Sequence, residues 1–346
     1  MAKIIKVECW PAVDRLKWQD AQRPRTLLEQ TSSCNNWRPQ TFLTVAAGYG
    51  RWLGWLQENG LFDARLSPEE RCTPDVVAAY IKDLRATNRP KTVLSRILNL
   101  ERALSVLAPA SDRSFLRSII KNLSEGHGKA GKRSRLREPA QLVELGFELM
   151  AKARAGIHTS VRKNASVYRD GLQIALLATR PFRLKNFNRL ELHHDLVFTD
   201  KNWRFLIPKE DVKNWRDIDV HFPPDLASCF TEYLELWRPL LAGLKYDGDR
   251  LWVSYFGKPQ SKSGMHQQIA HRTEAAFGRR LCPQLFRDCV ATSLAVHEPE
   301  IVTVASAILG NSIEVCQRYY NQAQTLEAGR ALSNTIFMFP RSIREE

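Results

Sequence analysis

Four side chains in the second half of the chain have the types that phosphodiester chemistry requires: Arg183, Lys213, Arg287 and Tyr320. A phenol is a weak nucleophile near neutral pH, with a free pKa of about 10. Two guanidinium forks and an ammonium around a phosphate stabilise both the phenolate and the charge of the transition state. A lysine whose pKa is lowered by cationic neighbours can protonate an oxygen leaving group. Together such groups can join a tyrosine oxygen to phosphorus. The resulting ester conserves the bond, so no nucleotide triphosphate is needed.

Each residue also has a plainer reading. Arg183 lies in TRPFRLKNFNRLEL, where a helix ends in a proline-containing turn and the arginine starts the next helix; a surface arginine would fit equally. Arg287 lies in LCPQLFRDCVATSLA, on a helix whose apolar neighbours Leu285, Phe286, Val290 and Leu294 predict burial. A buried arginine requires an anionic partner, which Asp288, Glu298 or a bound phosphate would supply. Lys213 falls in the turn between two predicted strands, a common place for a solubilising lysine. ILGNSIEVCQRYYNQAQ, Ile308 to Gln324, ends a helical pattern with Tyr319 and Tyr320 adjacent. Successive residues on a helix point about 100° apart, so one tyrosine faces a cleft and the other packs or touches a ligand.

The elements that must position these groups follow from periodicity. TFLTVAAGYGRWLGWLQENGLF has apolar residues at helical spacing and stops at Asn59-Gly60. CTPDVVAAYIKDLRA opens with Thr73 as cap and Pro74 at the first helical position. KTVLSRILNLERALSVLAP and DRSFLRSIIKNL complete a four-helix domain over residues 1–123. Its basic residues Lys82, Arg85, Arg89, Lys91 and Arg96 form either a solvated surface or a side facing DNA. Residues 124–138, SEGHGKAGKRSRLRE, read as a flexible basic linker. In the domain over 139–346, QLVELGFELMAKARAG and VYRDGLQIALLAT are helical. Strand-like runs at Leu196–Thr199, Trp203–Ile207 and Ile218–Phe222 then predict a small antiparallel sheet, after which helices resume with DLASCFTEYLELWRPLL.

Composition narrows the partners. The 346 residues are long enough for two domains, and 51 Lys+Arg against 37 Asp+Glu give a formal charge of +14, a field that attracts nucleic acid. Seven scattered cysteines without a CxxC pair read as reduced thiols, and Cys282 and Cys289 lack the companions a zinc site needs. The start MAKIIKVECWP lacks a leader-type apolar core and no run reaches the ~20 apolar residues of a membrane span, so no membrane partner and a cytoplasmic location are expected.

The order Arg183, Lys213, Arg287, Tyr320, behind a helical domain and a basic linker, resembles the tyrosine recombinase (phage integrase) family over nearly the whole chain. RLKNFNRLEL resembles its first arginine box, PQLFRDCVA its HxxR box and LGNSIEVCQRYY its LGHxxxxxTxxxY box. The resemblance implies a mainly α, two-domain protein: an N-terminal helical, SAM-like DNA-binding domain and a C-terminal α+β catalytic domain with a small antiparallel sheet. It implies a site-specific recombinase or mobile-element integrase that cuts and rejoins double-stranded DNA through a 3′-phosphotyrosine. Arg183 and Arg287 would clamp the phosphate, Lys213 would be the general acid, and Tyr320, counted from Asn311, the nucleophile. No metal or organic cofactor is implied. The active assembly would be a homotetramer on two DNA sites, with partner recombinase subunits also compatible, held by exchanged C-terminal segments. The apolar tail Ile336, Phe337, Met338 and Phe339 suits such an exchange, or caps its own domain.

Three positions depart from the family pattern: Gln284 and Asn311 replace histidines, and Asn186 replaces an acidic residue. Both Gln284 and Asn311 can donate hydrogen bonds to a phosphate oxygen, but neither can accept a proton as a base. Asn311 also fits a helix N-cap with Glu314 as its capping-box partner. Two further readings therefore stand beside the first: a catalytically impaired DNA-binding partner or regulator of the same fold, and a type IB topoisomerase-like enzyme.

Overall fold

Five of the long helices begin on a proline, whose fixed φ and missing N–H suit the first helical turn and little else. The computed structural model describes residues 3–23, 34–35, 37–125, 136–199, 202–212 and 217–297. It divides into two compact units, 1–129 and 130–346. Among the described residues no helix is long and apolar enough to cross a membrane.

The first unit holds α1 (Ala12–Asp20), α2 (Pro39–Glu58), α3 (Pro74–Thr87), α4 (Pro90–Leu107) and α5 (Ser114–Glu125), preceded by a 3-10 turn at Val7–Cys9. The helices α2 to α5 lie where periodicity predicts them. Thr73 occupies the N-cap position of α3 as expected, yet its side chain makes no capping bond. α1 was not expected, because AVDRLKWQD has no apolar stripe; it is held by two buried residues, Asp14 and Trp18. Asp14 accepts from the Tyr49 hydroxyl at 2.7 Å and pairs with the buried guanidinium of Arg71, which also donates to the Leu66 carbonyl at 2.7 Å. Around this knot, Trp10, Trp18, Tyr49, Trp52, Trp55 and Tyr80 form an aromatic core with edge-on and stacked rings about 5 to 6 Å apart. α2 approaches α4 closely at Gly48, where a Cβ would lie 2.5 Å from that of Asn99.

The second unit is organised around α7 (Val161–Thr179), buried along nearly its whole length and capped by Ser160. It packs on α6 (Pro139–Arg154) at Gly146 and Gly171; a Cβ on Gly171 would stand 2.6 Å from the Gly146 carbonyl oxygen. After the short α8 (Leu184–Arg189) come β1 (Leu196–Thr199), β2 (Asn202–Ile207) and β3 (Ile218–His221), an antiparallel sheet in sequential order. Leu196 pairs with Phe205, and Ile207 with Ile218. Helices resume as α9 (Ala227–Glu232), a π-turn at Tyr233–Trp237 and α10 (Arg238–Ala242). The π-turn lies just ahead of Pro239, which has no N–H to continue a regular ladder. The last described helices are α11 (Lys262–Phe277) and α12 (Pro283–His297). Among the described residues the architecture is mainly α with one small antiparallel sheet, in two parts, as the family resemblance implied.

Candidate active site

α7 stops at Thr179 because Pro181 disfavours helical geometry at the residue before it; Arg180 takes φ −132° and ψ 85°. Its guanidinium folds back onto the carbonyls of His221 and Thr179, each at 3.0 Å, and burial lowers its pKa. The chain turns through Pro181 and Phe182, whose ring packs edge-on against Phe205 of β2 at 4.9 Å. Arg183 follows at the N-cap of α8, half-buried and with extended backbone.

A helix of six residues is too short to be stable by itself. Four bonds hold α8 and its end in place. The Trp252 indole N–H donates to the Phe187 carbonyl at 2.8 Å, and the Asn188 amide to the Gln260 carbonyl at 2.7 Å. Arg250 donates to the Arg189 carbonyl at 2.9 Å, and the Leu251 N–H to Leu190 at 2.9 Å. Asn186 is buried within α8, and its amide nitrogen has no hydrogen-bond partner among the described residues.

Arg287 is 4% exposed on α12, and its guanidinium donates to the carbonyl of Pro181, 106 positions earlier. That bond joins α12 to the turn presenting Arg183, so the two arginine boxes meet. This backbone carbonyl is a partner of Arg287 in addition to the anionic ones, Asp288, Glu298 or a phosphate, expected from the sequence. Gln284 is exposed in the first turn of α12, three residues before Arg287 and therefore on the same face. Lys213, Asn311, Tyr319 and Tyr320, and the tail residues Ile336 to Phe339, lie outside the described residues.

The approach to Lys213 is described. Val212 is buried, and Asp211 takes a two-pronged bond from Arg189, with Nη2 to Oδ2 at 2.5 Å. The Arg189 guanidinium holds the Asp211 carboxyl below its ordinary pKa. The end of α8 is thereby tied to the connection between β2 and β3. Behind it, Asp170 of α7 binds Arg169 at 2.6 Å and Arg272 of α11 at 3.0 Å, while Arg169 reaches the Val253 carbonyl at 2.7 Å. Sequence reasoning missed Arg180, Arg189 and Asp211. Both Arg189 and Asp211 sit in segments singled out for other residues, and nothing in their spacing pairs them.

The Cys289 thiol of α12 is a poor nucleophile. Cys289 accepts the Arg137 backbone N–H at 3.3 Å, and burial pushes its pKa up to about 11. Among the described residues no three His, Cys, Asp or Glu side chains gather as a metal site would require.

A mainly helical chain with a three-stranded antiparallel sheet and an arginine turn closed by a second arginine helix has the fold of the tyrosine site-specific recombinases. A solved structure of the XerH site-specific recombinase bound to difH substrate, a pre-cleavage complex, matches with a TM-score of 0.59 at 15% identity, covering 100% of this chain and 99% of that one. The XerH post-cleavage complex on palindromic difH substrate matches with a TM-score of 0.56 at 16% identity, covering 85% of this chain and 79% of that one. Comparison with protein-family models finds no match, and neither does comparison with curated protein sequences.

Proposed function

We propose that this protein is a site-specific recombinase that cuts and rejoins double-stranded DNA through a 3′-phosphotyrosine. The observation that carries the reading is the Arg287 bond to the Pro181 carbonyl, which gathers two arginines about one turn within a recombinase fold. Arg183 and Arg287 clamp the scissile phosphate, with Gln284 and Asn311 as further hydrogen-bond donors. The Tyr320 oxygen bonds to phosphorus as the bond from phosphorus to the 5′-oxygen breaks. Lys213 gives that oxygen its proton. The phenol proton passes to water, since neither amide offers a basic nitrogen. A 5′-hydroxyl from the partner strand then attacks phosphorus and releases the tyrosine. We assign the working assembly as a homotetramer on two DNA sites, acting in the cytoplasm on a mobile element.

Gln284 favours a second reading, a DNA-binding partner without strand transfer. An exposed amide stands where the family resemblance places a histidine. Tyr320→Phe separates the two. Recombination of a reporter with sites from the flanks of the gene is abolished under the first reading, whereas biological effect and DNA binding both persist under the second.

A further inference from the structure

The helical stretch through α9, the π-turn and α10 of the second unit is apolar on two sides. Its inward side carries Tyr233, Trp237 and Leu241 at a spacing of four, all buried in the core. Its outward side repeats that spacing with Leu236 and Leu240, 49% and 38% exposed. The 3-10 turn Gly243–Lys245 continues the stripe with Leu244, which is fully exposed. A surface helix ordinarily turns polar residues outward, so a second apolar stripe is surface in want of cover.

The apolar surface extends past the helix. Arg162 of α7 donates to the Leu241 carbonyl and lies 5.9 Å from the centre of the Tyr255 ring, and a Cβ on Gly257 would stand 3.0 Å from the Ala242 carbonyl oxygen. The turn 254–257 is thereby fixed against the end of α10. There it holds Tyr255 and Phe256, 39% and 76% exposed, with ring centres 5.4 Å apart. Five large apolar side chains so exposed amount to several hundred Å². That is the scale that marks an interaction site, and it approaches the ~800 Å² that each partner of a standard interface buries.

The charges beside this surface are divided by sign. On the helix and its continuation, Glu235 adjoins Leu236 and Asp247 lies three residues past Leu244. On the other side, Lys163 adjoins Arg162 and Lys258 lies two residues past Phe256. All four are exposed, and none makes an ion pair among the described residues. A two-fold axis brings the acidic helix side of one copy onto the basic turn side of the other, with apolar side chains meeting between them. A partner of a single charge sign would match only half of the face. We propose that this face joins two copies of the chain in an isologous dimer that forms without DNA and rests on no part of the strand-transfer reading.

The test is sedimentation equilibrium of the full chain without DNA, over a range of concentrations. Wild type is a dimer at micromolar concentration. Leu244→Asp and Phe256→Ser each weaken the dimer by about tenfold or more. Melting at a dilution where every variant is monomeric gives Leu244→Asp the wild-type Tm, since that side chain lies outside its own core. Glu235→Lys and Lys258→Glu each weaken the dimer, and both together in one chain restore much of the loss, because the axis turns both sides at once. A wild type that stays monomeric overturns the proposal: an unmoved Tm in Leu244→Asp then leaves the face to a different protein, and a lowered one to another segment of the same chain. A dimer indifferent to Leu244→Asp and Phe256→Ser overturns it as well, by placing the contact elsewhere. None of these readouts requires cleavage, so a failure here is distinct from a failure of strand transfer.

Discussion

The two units use their buried polar groups differently. In the first, Asp14, Tyr49 and Arg71 join three distant segments at one point, and the bond from Arg71 to Leu66 fixes the third locally. In the second, the ten residues from Pro181 to Leu190 accept bonds from Arg287, Trp252 and Arg250, and donate from Asn188 to Gln260 and from Arg189 to Asp211. The first arrangement secures a fold whose opening helix lacks an apolar face. The second fixes a short helix that could not stand alone, and it does so where Arg183 is presented. Concentration of polar bonds on a weak element is what positioning a reactive group requires.

Variants at each end sharpen that contrast. Asp14→Ala leaves the Arg71 charge buried without its carboxylate and costs about 3–5 kcal/mol; urea unfolding shows the loss, while cleavage per folded molecule is unchanged. Arg287→Lys retains a cation but loses the fork that bonds Pro181 and the phosphate. Cleavage rate falls about 10²–10³-fold in single turnover, the usual cost of one transition-state donor. If both variants instead lost only stability, the distinction between the units would fail. Gly171→Ala drives a methyl into the Gly146 carbonyl and costs about 1–3 kcal/mol, read as a lower urea midpoint of the second unit.

The smallest effect is at Asp211. Its carboxyl is held below the ordinary range by Arg189, so the stabilisation is complete above about pH 4 and is lost as pH falls through the lowered pKa. Asp211→Asn removes that part of the acid sensitivity. Urea midpoints between about pH 2 and 5 fall less steeply for the variant than for wild type. Identical slopes would show that the pair to Arg189 does not hold the hairpin.

Much of the frame was legible in the sequence for local reasons. Pro74 and Pro139 start helices by their own geometry, and the alternation in NWRFLI and IDVH sets strands wherever a hydrophobic face awaits them. The burial of Arg287 could be read from its apolar neighbours. Its bond to Pro181 could not, because a carbonyl 106 positions away has no signature in residue type. α1 escaped for the same reason: its anchors, Tyr49 and Arg71, lie far along the chain. The link between Arg189 and Asp211 is also tertiary, and no periodic pattern announces it.

The central claim is tested most directly by trapping the covalent intermediate. Purified protein is incubated with labelled duplex DNA from the flanks of its gene, nicked near the expected site, then denatured in detergent and resolved by size. The account predicts a protein–DNA band from wild type and Tyr319→Phe and none from Tyr320→Phe. DNA that is bound but gives no band with wild type, or a band that survives Tyr320→Phe, would contradict it.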